Sequence, residues 1–266
     1  MKPYPFWSFL SISALDAPMI SVAWYIYFVE KSQIADLNMQ YCLILGCSVW
    51  LGYMADRLFD IEFKKEAKFI SLRHLFCKQY KPYLWALWAI ILISTLIFSL
   101  DTLNNDKIVV GFILILIILL YNFLNQYFTK KKFPKEVFIA AIFAYGTLFL
   151  IQGPMNLSYL FNFCLICFLN CLIINHKEKK IDQLMGVTSL THLFSHRFIL
   201  IIISLSCAYY LISFQSILNP FSIICLINLA LHATSKHIDA EHFRVITETS
   251  YILVALIAVM LLKINL

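Results

Sequence analysis

The chain has 266 residues, of which 61% are hydrophobic and only 14% charged, with a mean hydropathy of +0.80. Soluble domains average about 45–50% apolar and about 25% charged residues, so this composition excludes a water-soluble globular domain, a disordered chain and a secreted disulfide scaffold. What it leaves is an all-α polytopic membrane protein with most of its length in lipid.

In chain order, the first fifteen residues carry Phe6, Trp7, Phe9 and Leu10 and read as an interfacial segment. They have no basic stretch ahead of a cleavable apolar run, so they do not read as a removable signal. Asp16-Ala17-Pro18 then starts a helix, with Asp16 as N-cap and Pro18 in the first turn, where its missing N–H costs little. A spanning helix needs about 20 apolar residues. On that measure nine spans are expected, at 18–34, 38–56, 80–100, 107–127, 135–151, 157–174, 198–214, 218–235 and 245–264. Their Leu, Ile and Phe run without polar alternation, which excludes barrel strands. One membrane-embedded domain over 1–266 follows, with four-helix halves at about 16–132 and 133–243 and a last helix after them.

Basic residues set the orientation. With the N-terminus in the cytoplasm, eighteen of the 21 Lys and Arg fall on the cytoplasmic side, and only Lys31, Lys107 and Lys263 on the other. The net charge of +6 is therefore a topology signal and not a nucleic-acid footprint. It predicts a multi-pass protein of the cytoplasmic (inner) membrane.

Two of the cytoplasmic helix ends also carry acids. Asp56 and Asp60 end the second span, and Glu178 and Asp182 follow the sixth. In each pair the four-residue spacing puts both carboxylates on one helix face. Asp56 to Glu178 and Asp60 to Asp182 are both 122 residues, which predicts that the pairs face a shared mouth. Carboxylates ringed by Lys and Arg suit a diphosphate bound through Mg²⁺, since Mg²⁺ bridges acids to phosphate oxygens and the cations balance the remaining charge. The plainer alternative is that these acids merely balance basic loops.

These residues resemble the UbiA superfamily of intramembrane prenyltransferases. Its first signature is Asn-Asp-x-x-Asp-x-x-x-Asp at the end of helix 2. Asp56, Arg57 and Asp60 are similar to it, while Gly52 and Tyr53 stand where the family has Asn-Asp. Its second signature, Asp-x-x-x-Asp followed by Gly and Ser or Thr, is similar to Glu178, Asp182 and Gly186-Val187-Thr188-Ser189. Tyr121-Asn122 with Lys130-Lys131-Lys132-Phe133-Pro134-Lys135, and Asp16-Ala17-Pro18, add two weaker likenesses.

The resemblance implies nine helices and Mg²⁺ held by Asp56, Asp60, Glu178 and Asp182 against an isoprenyl diphosphate. Arg57, Arg73, Lys131, Lys135 and Lys180 would meet phosphate oxygens, and Tyr53 and Tyr121 would shield the allylic cation. A lipophilic or aromatic acceptor would then be alkylated in the membrane. Gly52 and Tyr53 mark a divergent branch with fewer metal ligands. A carrier of lipid diphosphates and an intramembrane terpene cyclase are the competing functions. A CDP-alcohol phosphotransferase lacks support because its Asp-Gly-x-x-Ala-Arg run is absent, and a transporter because the acids sit at one surface.

Other signals read as packing. Cys164, Cys167 and Cys171 lie within one apolar helix and read as membrane packing, not as metal ligands. His192 and His196, four apart, read as solvated or phosphate-facing. His176 reads as a site base or as an ordinary helix-end residue. Glu248 reads as capping near the interface or pairing with a polar neighbour. The Tyr and Phe residues read as mostly lipid-facing and interfacial.

Overall fold

The computed structural model describes residues 5–33, 36–63, 71–127, 134–185 and 189–264, and among them there is no strand. After a short 3-10 turn come α1 (Phe9–Ile12), α2 (Asp16–Ser32), α3 (Met39–Phe63), α4 (Leu72–Gln79) and α5 (Lys81–Thr102). Then follow α6 (Asn105–Tyr127), α7 (Lys135–Leu148), α8 (Leu157–Leu184), α9 (His196–Phe214), α10 (Pro220–Thr234) and α11 (Ala240–Ile264).

A helix thus lies where each of the nine spans is expected, but fewer are long enough to cross. Six described helices qualify (α3, α5, α6, α8, α9 and α11), and α2 joins them only if counted with the N-terminal segment. With 14 and 15 residues, α7 and α10 fall short of the about 20 that a bilayer requires. Local chemistry sets several of the starts. Asn156 accepts from the amides of Ser158 and Tyr159, Ser195 from that of Phe198, and Asn219 from that of Phe221 just ahead of Pro220. Asp16 is not the cap expected of it: Leu15 holds that position, and Asp16 opens the helix with Oδ1 accepting from the Ala17 amide at 2.8 Å.

The N-terminal segment meets α2 at 77°. The turn between them puts Ala14 at φ 59°, a left-handed conformation in which a Cβ is strained. The carbonyls beside it are met from α3: Trp50 Nε1 donates to Ser13 O at 3.0 Å, and Arg57 Nη1 to Ser11 O and Ile12 O at 2.8 and 2.9 Å. Trp50 and Arg57 are seven apart, two helical turns, and so share one face of α3.

In lipid, helices are held by close packing and polar contacts, since the tails are as apolar as leucine. The largest apolar cluster gathers α2 with α7, α8, α9, α10 and α11. At its middle Trp24 and Phe28 pack against Phe163 and Phe221, with ring centroids 5.1 to 6.3 Å apart, and Tyr210 stacks on Phe221 at 5.6 Å. These rings are exceptions to the expectation that Tyr and Phe mostly face lipid. They are interior because α2, α8 and α10 cross there, and each ring pair adds about 0.5–1.5 kcal/mol beyond its buried area. A second cluster joins α3, α4 and α5 to the N-terminal turn. α5 and α6 lie at the periphery and expose apolar side chains along their length, among them Ile90, Ile93, Ile97, Phe112, Leu116 and Leu120.

Candidate functional site

The acids lie within helices rather than after them. α3 runs two turns beyond the expected end at residue 56, because Arg57, Leu58, Asp60 and Ile61 are buried there, and α8 likewise continues to Leu184. On α3 the spacing of Gly52, Tyr53, Asp56 and Asp60 places all four along one face. A Cβ added at Gly52 would meet no atom within 4 Å, so that face is open beside Tyr53.

The short helix α4, which has no counterpart among the expected elements, links the two acid-bearing helices. On its first turn, Arg73 Nη2 donates to Glu178 Oε2 at 2.7 Å. The adjacent His74 has Nδ1 2.6 Å from the Ser71 hydroxyl and Nε2 3.6 Å from Asp60 Oδ2. Burial holds the His74 imidazole below its ordinary 6.5, against the opposing pull of Asp60. The Leu72 amide donates to Glu241 Oε1 at 3.1 Å, tying α4 to the start of α11.

Glu178 is held by two arginines. Besides Arg73 it takes a forked pair from Arg244, Nε to Oε1 at 2.8 Å and Nη2 to Oε2 at 2.6 Å. Arg244 Nη1 also reaches Glu248 Oε1, one turn along α11, at 3.1 Å. With the Glu178 side chain 4% exposed and Arg244 12%, these are buried, charge-assisted contacts. One turn beyond Glu178, Asp182 Oδ2 lies 3.3 Å from His192 Nε2.

Two further acids complete the interior. Glu136, on the first turn of α7 and 1% exposed, accepts from Asn175 at 2.9 Å and from the hydroxyls of Ser189 and Thr191. Asp16 and Glu248 lie within electrostatic reach of one another, and Tyr53 lies within reach of both. Tyr121 lies within electrostatic reach of Asp56, Glu136 and Tyr53.

The structure therefore gathers Tyr53, Asp56, Asp60, Arg73, Tyr121, Glu178 and Asp182 at one end of the bundle, where α4 bridges the two helices. Of the other expected residues among those described, only Lys180 faces away from these groups. Arg57 braces the N-terminal turn, Lys135 is half-buried at the start of α7, and Lys180 is exposed, on the face of α8 away from Glu178 and Asp182. Lys131, and Gly186-Val187-Thr188 of the second signature, lie outside the described residues. His192 and His196 do not share a face. The chain breaks at Phe194 and Ser195 between a 3-10 turn and α9, so His192 meets Asp182 while His196 turns toward His176 and His232. Sequence reasoning gave no site role to Arg244, Glu136, Asp16 or His74. Of these only Asp16 belongs to a motif, the Asp16-Ala17-Pro18 helix start, although Arg244 and Glu248 have the four-residue spacing of a helical ion pair.

A cavity of 290 Å³ lies at the opposite end, lined by Lys31, Asp106, Lys107, Tyr145 and Tyr159 among others, and includes neither acid pair. The convergent carboxylates and arginines, not this hollow, mark the chemically equipped end. No protein-family model, no curated protein and no solved structure matches the chain.

Proposed function

We propose that the chain is a multi-pass membrane prenyltransferase of the UbiA type, which takes an isoprenyl diphosphate at its acid-bearing end and transfers the isoprenyl group to a lipophilic or aromatic acceptor. The observation that carries this reading is the meeting of the α3 and α8 acids around α4, with Arg73 and Arg244 both on Glu178. The basic-residue bias orients that end toward the cytoplasm of the inner membrane.

The donor set favours Mg²⁺, which takes oxygen ligands: Asp56, Asp60 and Asp182 are the residues that would hold it. Glu178 fits that role poorly, because both of its oxygens already accept from guanidinium groups. Its role in the proposal is to orient Arg73 and Arg244 toward the diphosphate. When bound, Mg²⁺ supplies Lewis-acid stabilisation of the leaving group. As the allylic C–O bond breaks, its electron pair passes to pyrophosphate, and the two arginines balance the charge that develops there. Tyr53 and Tyr121 offer ring faces to the cation, and the apolar surfaces of the helices accommodate the tail. The acceptor ring forms the new bond and releases a proton.

The test is pyrophosphate release from a panel of isoprenyl diphosphates, with and without Mg²⁺, using a cell lipid extract as acceptor source. Wild type should release pyrophosphate only with the metal, while Asp56→Asn and Asp182→Asn should fall by at least about 100-fold, the scale of a lost electrostatic group. Arg73→Ala should raise the donor KM, and Lys180→Ala should leave it unchanged. The Gly52-Tyr53 departure and the engagement of Glu178 favour a second reading, a carrier of lipid diphosphates. Tight donor binding with no pyrophosphate release would select it. An intramembrane cyclase would release pyrophosphate without any acceptor.

A further inference from the structure

We propose that His176, His196 and His232 form a binding site for one Zn²⁺ ion that pins α8, α9 and α10 together beside the acid-bearing end. Ring nitrogens of the three residues all lie within 4.8 Å of one another, although 20 and 36 residues separate them along the chain. The centroids of His196 and His232 are 4.3 Å apart, and His176 lies 5.5 Å from His232 and 6.2 Å from His196.

Two features mark these rings as more than packing. His232 is 1% exposed, and its Nε2 lies 3.4 Å from the His196 carbonyl oxygen. A proton donated there leaves Nδ1 with its lone pair, the arrangement that orients metal-binding histidines. His176 Nδ1 is buried with no hydrogen-bond partner among the described residues, a cost that a metal–nitrogen bond would remove.

The site is separate from the acids. His176 precedes Glu178 by two residues, about 200° around α8, so the two side chains leave opposite faces. A set of three imidazoles suits Zn²⁺ and not Mg²⁺, and leaves the fourth tetrahedral position for water. Nitrogens about 2.0–2.1 Å from one ion stand within that same 4.8 Å limit. The proposal does not depend on the prenyltransferase reading.

The test uses full-length protein purified without a polyhistidine tag, stripped with chelator and returned to Zn²⁺ or Co²⁺. The expected result is one Zn²⁺ retained per chain after gel filtration, the visible absorption of four-coordinate Co²⁺, and a Tm raised by zinc. His232→Ala and the milder His196→Gln should each weaken zinc binding by more than the about 10–100-fold typical of outer-shell changes. Asp182→Asn should bind zinc as wild type does. Absence of zinc retention in folded wild type, or equal retention by the folded His196→Gln variant, would overturn the assignment.

Discussion

Replacing Arg244 with Met should destabilise the protein by about 3–5 kcal/mol, the cost of leaving a buried charge without its partner. The magnitude follows from the surroundings of Glu178. Arg244 supplies two of its three guanidinium contacts, at 2.8 and 2.6 Å, and Arg73 keeps only the third at 2.7 Å. Glu248 loses its 3.1 Å contact at the same time. The paired side chains are 12% exposed or less, so solvent screens little of the interaction. Unfolding in mixed micelles of wild type, Arg244→Met, Glu178→Gln and the double variant forms a cycle, and residues in direct contact couple by about 0.5–3 kcal/mol. The double variant should therefore lose less than the two single losses added. Strict additivity, or a single-variant loss no larger than the about 0.5 kcal/mol of a surface change, would refute the clamp as a support of the fold.

Three other outcomes follow. Gly52→Ala should stabilise α3 by about 0.5–1 kcal/mol, since a helix-interior glycine costs that much and the added methyl meets no atom within 4 Å; a drop in Tm would contradict the open face. On the proposed prenyltransferase reading, adding Gly52→Asn and Tyr53→Asp together should lower the Mg²⁺ concentration needed for half-maximal pyrophosphate release; an unchanged or higher requirement would count against a metal held beside these positions. His74 is held below its ordinary 6.5 by burial, so in that range the unfolded chain binds more protons than the folded one. Its contribution to stability should be complete above pH 6.5 and fall as the pH drops below that value. Melting curves across that range in chelator should show the slope, and His74→Asn should flatten it.

Local chemistry alone determined much of this protein. Hydropathy runs located a helix for each expected span, because backbone groups in lipid must be satisfied within their own segment. The four-residue spacing of Asp56 with Asp60 and of Glu178 with Asp182 put each pair on one face for the same local reason, the pitch of the helix. Helix length was less legible: α3 and α8 run past their apolar stretches because Asp60, Glu178 and Asp182 are buried by neighbours that hydropathy does not describe. Which partner each charge takes was decided only in three dimensions. Arg244 lies 66 residues from Glu178, and His176, His196 and His232 come from three helices, so no window along the chain contains these sets. Likewise, a Trp24 or Phe163 facing lipid reads the same in sequence as one facing Phe221. Apolar side chains gain little from leaving lipid for protein, so only the angles and contacts at which the helices cross decide which of them face inward.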